Sequence, residues 1–255
     1  MPPIPIAFSR YLTALVSSVL AACTGIPAPK VSSPIAGLIA NTYSGTSGPD
    51  LSSPLNPDFR YLRVDVSGYP PALLVLGYLE PGPWGPVEVW YSANREVLKI
   101  ANGRVVGSAG LQADWRNVQF VGLPSQWDWV LDSAFASSNS HITITHDFER
   151  VRDAMPGYRF GIREQLRARV AVPPAKVLPI LPVPGAVWVE ESIQADNLQG
   201  LPGSALPSAW FAVGGDGSPG TAKVVASFQC LAASLCMRLQ PWSSSPKQPM
   251  QVSVP

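Results

Sequence analysis

Charge is scarce in this sequence and neither sign prevails: Asp, Glu, Lys and Arg make up 14% of the 255 residues, with 18 bases against 17 acids. So even a balance carries no broad positive field, which sets nucleic acid aside as a partner. Histidine is nearly missing as well. Only His141 and His146 are present, with no Cys-x-x-Cys or His-Glu-x-x-His spacing, so a metal centre has no donor set. Five residues apart on a strand, the two would point to opposite faces. No serine near them lies in a Gly-x-Ser-x-Gly elbow, which leaves a hydrolase triad unsupported. Long apolar runs are absent too. A spanning helix needs about 20 apolar residues, and the stretch from Val170 to Val189 is broken by Pro173, Pro174, Pro179, Pro182 and Pro184. Gly214-Gly215-Asp216-Gly217 lacks the flanking pattern of a phosphate or calcium loop and reads as a turn.

What the chain does have is apolar residues, 46% of the total, together with 28 prolines and 21 glycines. The first figure argues against disorder. The second argues for short strands, edges and turns, because proline interrupts helix interiors and central strands alike. At the start, Arg10 precedes an uncharged apolar stretch, Tyr11 to Leu20, of signal-peptide length. It ends in Leu20-Ala21-Ala22-Cys23, which resembles the bacterial lipobox: a branched apolar residue, two small ones and the cysteine that takes the lipid. The organisation this predicts is a lipoprotein signal peptide at 1–22, a lipidated Cys23 with a Pro/Ser/Gly-rich tether at 23–58, and one β-rich domain at 59–255. Removing 1–22 removes Arg10 and leaves bases and acids equal in number. A coil of about 35 residues reaches roughly 30 Å, and several acyl chains anchor it stably. Thr24, rather than Asp, follows the cysteine and resembles the rule that sends lipoproteins on to the outer membrane.

Tyr61 to Ser67 alternates with the period of a half-buried strand, and Ala72 to Leu79, with no polar member, reads as a strand buried on both faces. Val87 to Ser92, Glu96 to Ile100 and the segment from Val105 form a meander through the Asn102-Gly103 turn, a strong hairpin signal because both residues accept positive φ. One short helix or none is predicted after Ser125, where Trp127, Val130, Leu131, Ala134 and Phe135 fall at helical spacing. Strands are predicted from Ile142 toward Val151, over Ile162–Val170, at Val187–Val189 and over Ala222–Phe228, with Cys230–Leu239 as partner of the last. No repeat is evident. The fold class is mainly β: an antiparallel sandwich or partly open barrel of meandering strands with at most one or two short helices.

Trp90 and Ser92, then Asn102-Gly103-Arg104 and the closing Gly110-Leu111, together resemble the signature region of the YjbF/GfcB-like lipoproteins, the group 4 capsule polysaccharide lipoprotein family. A second patch, Trp188 and Glu190 followed by Gln194, is similar to that family's Trp-Val-Asp segment and later Ser-x-Gln. Glu190-Glu191 stands where the family tends to have Asp-Pro, and Cys230 and Cys236 lie outside the family pattern. The resemblance implies an outer-membrane lipoprotein of antiparallel β structure on the periplasmic side, assisting production or export of an extracellular polysaccharide. It implies an outer-membrane β-barrel and a periplasmic protein as partners, no cofactor and no enzymatic activity.

Apart from Cys23, Cys230 and Cys236 remain. In an oxidising periplasm they are either a disulfide, which requires a tight turn between them, or two buried thiols. Trp127, Asp128 and Trp129 are candidate polysaccharide contacts, since an indole stacks on a sugar ring while carboxylates bind hydroxyls; core packing of the same tryptophans is the competing and favoured reading. Arg163, Arg167 and Arg169 line one strand face, either as an anion-binding row or as a solvated face. Two further functions stand beside the family one: a periplasmic carbohydrate-active enzyme trimming the polymer, and a structural envelope lipoprotein unrelated to polysaccharide.

Overall fold

The structure is a computed structural model that describes residues 55–124, 127–137, 144–179, 181–194 and 206–242. All of them lie in the second of the chain's two units, Ser33–Pro255. The readings at Arg10, Cys23 and the tether as far as residue 54, Ser125, His141 and Ile142–Thr143 fall outside the described residues.

Twelve strands follow one another among the described residues: β1 (Tyr61–Val66), β2 (Ala72–Glu80), β3 (Val87–Tyr91), β4 (Val97–Ala101), β5 (Arg104–Ala109), β6 (Asp114–Val121), β7 (Thr145–Met155), β8 (Arg159–Val170), β9 (Val187–Ile193), β10 (Ala209–Gly214), β11 (Lys223–Ala232) and β12 (Leu235–Trp242). A helix, α1 (Asp128–Ser137), lies between β6 and β7 in the sequence, and a short 3₁₀ turn, Ala175–Val177, lies between β8 and β9. The sheet runs β5-β4-β3-β2-β1-β12-β11-β10-β9-β8-β7-β6, with antiparallel pairing at every step. It is a nearly closed meander. Its two end strands are consecutive in sequence, and side chains join them where no ladder does: Ser108 Oγ accepts the Trp115 N–H at 3.1 Å and donates to Asp114 Oδ1 at 2.9 Å. No helix among the described residues is long and apolar enough to cross a membrane.

Local sequence accounts for most of these elements. Asn102 and Gly103 both hold positive φ, 48° and 81°, and turn β4 into β5. At Gly103 a Cβ would lie 2.4 Å from Val224, so this glycine also lets the turn approach β11 closely. Strand β2 departs from expectation. Ala72 and Leu74 are buried, but Leu79 is 53% exposed. Its ladder with β1 covers only Ala72–Val75, and a register shift between Leu76 and Tyr78 turns the far end out of the core. Strands β6 and β10 have no clear strand period. Asn117 at φ 52° interrupts the alternation of β6, and Trp210, Phe211, Ala212 and Val213 in β10 are all buried.

Inward side chains fill the interior as two apolar clusters. One gathers Leu62, Val64, Trp90, Leu98, Trp115 and Leu239; the other gathers Trp127, Val130, Phe148, Leu166, Val189 and Phe211. Buried ions accompany them. Arg104 donates twice to Glu191 Oε1, at 2.9 and 2.6 Å, and its guanidinium lies 3.9 Å from the Trp127 ring centroid. Arg150 and Arg152 share Glu164, at 2.7 and 2.6 Å, and stack at 4.5 and 4.6 Å from the centre of Trp115. On the opposite face of the same strands, Arg163 pairs with Glu149, Arg167 with Asp147 and Arg169 with Glu190. The arginine row is thus a solvated, ion-paired outer face. Apart from the buried Arg104–Glu191 and Arg150–Arg152–Glu164 groups, the interior is apolar, and the outer face of β7 to β9 is charged rather than apolar as a lipid-facing barrel wall is.

Replacing Glu164 by Ala leaves two buried guanidiniums without an anion and lowers the unfolding free energy by about 3–5 kcal/mol, read as a lower urea midpoint at unchanged slope. Burial alone would raise the Glu164 carboxyl, but Arg150 and then Arg152 override it and hold it below the usual carboxylate range. A group with a depressed folded value adds stability above its unfolded value, about 4.3, and loses it as pH falls through the folded one. The wild type therefore loses urea resistance on acidification below about pH 4, and Glu164→Gln flattens that part of the profile.

Candidate functional site

The interior is not filled at one end. Where β1 begins and β12 finishes, a cleft of about 1120 Å³ enters the barrel. Its walls come from seven places in the chain: residues 56–62, the β2–β3 turn with β3, the β4–β5 turn, the start of α1, Val183, the β10–β11 loop running into β11, and the last residues of β12. The apolar alternation of β1, β3 and β4 carries Leu62, Trp90 and Ile100 to its base. The turns carry the polar and aromatic rim.

Five rings line it: Phe59, Tyr61, Trp84, Trp90 and Trp242. Trp90 is only 2% exposed and donates its N–H to Glu88 Oε2 at 3.3 Å. Trp84 is half-buried, edge-on to Phe120 at 5.1 Å, while Phe59 is 52% exposed. Trp242 is half-buried with the Arg63 guanidinium 5.1 Å from its ring, and its indole N–H, itself out of solvent, meets no hydrogen-bond partner among the described residues. The charges at the cleft are few. Arg60 pairs with Glu88 and stacks 5.7 Å from the Trp90 ring; Asp128 Oδ2 accepts the Gly220 N–H at 3.0 Å; Lys223 is exposed on the rim. Glu88 and Asp128 both line the cleft, but Glu88 sits against a cation, the opposite of the apolar setting in which a glycosidase keeps its proton donor. Among the described residues no group of three or more His, Cys, Asp or Glu could hold a metal, and His146 packs instead against Trp129, with ring centroids 4.4 Å apart.

The residues singled out in the sequence divide sharply by this geometry. Trp127 is 1% exposed, donates to Asn102 O at 3.0 Å and lies between Arg104 and Phe211, so no face of it is open to a sugar. Trp129 is half-buried on His146; of the three, only Asp128 reaches the cleft. Gly214–Gly217 belongs to a turn in which Asp216 accepts the Ser218 N–H and the Thr221 hydroxyl. Cys230 and Cys236 oppose each other across the β11–β12 hairpin and are bonded through sulfur.

The signature positions are structural in their contacts. Ser92 Oγ accepts the N–H groups of Asn94 and Glu96 and so shapes the β3–β4 turn. Gly110 and Leu111 present their N–H groups to the Asp114 carboxylate at 2.9 and 3.1 Å, at the seam. Trp188 is half-buried in β9, Glu190 pairs with Arg169 on the outer face, and Gln194 turns back to Ser192. Asn102 and Gly103 alone serve both the turn and the cleft wall, together with Trp90 at its base. Phe59, Arg60, Trp84, Glu88, Lys223 and Trp242 are missed by sequence reasoning. They are scattered over the chain with no motif, and only the ring closure of the sheet brings them together.

A family model described as "Group 4 capsule polysaccharide lipoprotein gfcB, YjbF" matches residues 58–200. The chain belongs to this family. The match begins at the first cleft residues, covers β1 to β9 and both signature patches, and stops before β10. Membership makes the protein an outer-membrane, lipid-anchored lipoprotein of the periplasmic side with a non-enzymatic accessory role. Among solved structures, the hypothetical lipoprotein YmcC of Escherichia coli K12 is similar at 14% identity and a TM-score of 0.48, over 76% of this chain and 92% of that one. No curated protein matches.

Changing Cys230 and Cys236 together to Ser opens a short loop, and a bridge of that span is worth about 2 kcal/mol in the chain-entropy account. Urea unfolding of the double variant, against wild type with and without reductant, is expected to show that loss in the oxidised comparison and none in the reduced one.

Proposed function

We propose that this lipoprotein assists production or export of an extracellular polysaccharide, held to the outer membrane by lipid on Cys23 and contacting the polymer through the cleft. The observation that carries the reading is the cleft itself: among the described residues a barrel with a charged outer face keeps an open recess lined by five aromatic rings and by hydrogen-bonding groups. Sugar rings offer an apolar face to such rings and hydroxyls to such groups. Family membership supplies the connection to capsule polysaccharide. The ion-paired outer face of β7 to β9 suits a protein that works in water beside a membrane, and an outer-membrane β-barrel and a periplasmic export protein are the partners this role calls for.

The decisive experiment measures exported polysaccharide in cells lacking the protein and restored with the wild type or with Cys23→Ala. Export falls on deletion, returns with the wild type and stays low with Cys23→Ala. Unchanged amount and chain length in every strain overturns the polysaccharide role, and full restoration by Cys23→Ala overturns the anchor.

A further inference from the structure

Every charge at the cleft has a counterpart. Arg60 is committed to Glu88, with its guanidinium also against Trp90, and this pair occupies one side of the recess. Lys223 and Asp128 supply one charge of each sign on the other. The sum is zero, so an acidic polymer would gain nothing from entering that it lacks in bulk water, and its carboxylates would meet Glu88 and Asp128. An acyl chain fits no better, because Glu88 and Arg60 would lose hydration against it without a new partner.

Uncharged polar groups are a different matter. Asn56, Ser227 and Gln240 line the same recess; Asn56 Oδ1 accepts the Asp58 N–H, Ser227 Oγ accepts from Gln229 and Gln240 Nε2 donates to Leu181 O, which leaves the Asn56 amide N–H groups, the Ser227 hydroxyl proton and the Gln240 amide oxygen to meet a ligand. Donors and acceptors thus share the recess with the rings of Phe59, Trp84 and Trp242. An uncharged polyhydroxylated chain matches this set group by group: its hydroxyls both donate and accept, and its ring faces are apolar. The volume, about 1120 Å³, is at the upper end for a small-molecule pocket, about 1,000 Å³. That leaves room for several sugar units rather than one.

We infer that the cleft binds a neutral segment of glycan, with Phe59 and Trp242 as stacking platforms and Asn56 and Gln240 as hydroxyl partners. This rests on the reading of the cleft as the polymer contact and adds the chemical class of what enters. Lys223 is a bystander on the rim.

The test uses the full chain carrying Cys23→Ala, titrated with neutral hexasaccharides (a glucan, a mannan and a galactan) and with hexagalacturonate, followed by tryptophan fluorescence and calorimetry. At least one neutral hexasaccharide binds, with an affinity that changes little between about 50 and about 500 mM salt. Phe59→Ala and Trp242→Ala each weaken it by about tenfold, and Lys223→Ala leaves it within about twofold. Phe59 is half exposed, so its removal reports on binding even where Trp242→Ala perturbs the fold. Binding of hexagalacturonate alone, lost with Lys223→Ala or with salt, overturns the neutral assignment and keeps a glycan cleft. No binding of any of the four overturns the cleft as a glycan site, while the polysaccharide role stays decided by the export measurement. Release of reducing ends during titration overturns the binding role in favour of an enzyme.

Discussion

Two buried carboxylates hold this barrel together at its centre. Glu191 on β9 receives Arg104 from β5, and Glu164 on β8 receives Arg150 and Arg152 from β7. The first pair matters most for shape, because β5 and β9 lie far apart along the sheet and are brought face to face only by its curling. A curled sheet that put apolar side chains there would close equally well, but with nothing to fix the register of one wall against the other. The indoles of Trp115 and Trp127 cover the guanidiniums and let three cations share two anions away from water. Around that arrangement the apolar clusters pack on each side, and the Asn102-Gly103 turn is set against Val224 and above Trp127.

How much of this the sequence disclosed depends on whether the cause was local. Turns and hairpins are local: Asn102-Gly103 names its own geometry, and β3, β4 and β5 stand where alternation and turn residues place them. The burial of Ala72–Leu79 is not local, because it depends on where the neighbouring ladder stops; an apolar run gave no hint that Tyr78 and Leu79 would lie outside the core. Strand β10 was hidden for the opposite reason: buried on both faces, it shows no alternation to read. The ion pairs were invisible. Arg104 and Glu191 are 87 residues apart, and nothing in either segment marks one as the other's partner. Cleft residues such as Trp84 and Trp242 share that fate, since aromatic residues in a β-rich chain are indistinguishable from core until the sheet is closed.

The family signature and the candidate site overlap only partly, and the physical reason is instructive. Ser92, Gly110 and Leu111 satisfy backbone groups at turns and at the seam, while Arg104 neutralises Glu191. These are requirements of the scaffold. Glu191, which stands where the family pattern runs to proline, is here the inward-facing acid that Arg104 needs. A recess built from rims and loops leaves scaffold and lining free to vary separately, the common relation between a fold and the site it supports.

A meander with an even number of strands brings the chain back to the end from which it set out. Tyr61, opening β1, is directly opposite Trp242, closing β12, and both stand on the lip of the cleft. The entry to the barrel and the exit from it are therefore neighbours, and residues 56–60 are at once the approach to β1 and a wall of the recess. Arg60, one residue before the first rung of the β1–β12 ladder, is fixed there twice, by its ion pair with Glu88 and by the Leu76 N–H on its carbonyl. The mouth thus gathers the start of the first strand and the end of the last, and the exposed Tyr158 and Phe160 of the β7–β8 hairpin mark the opposite pole of the barrel.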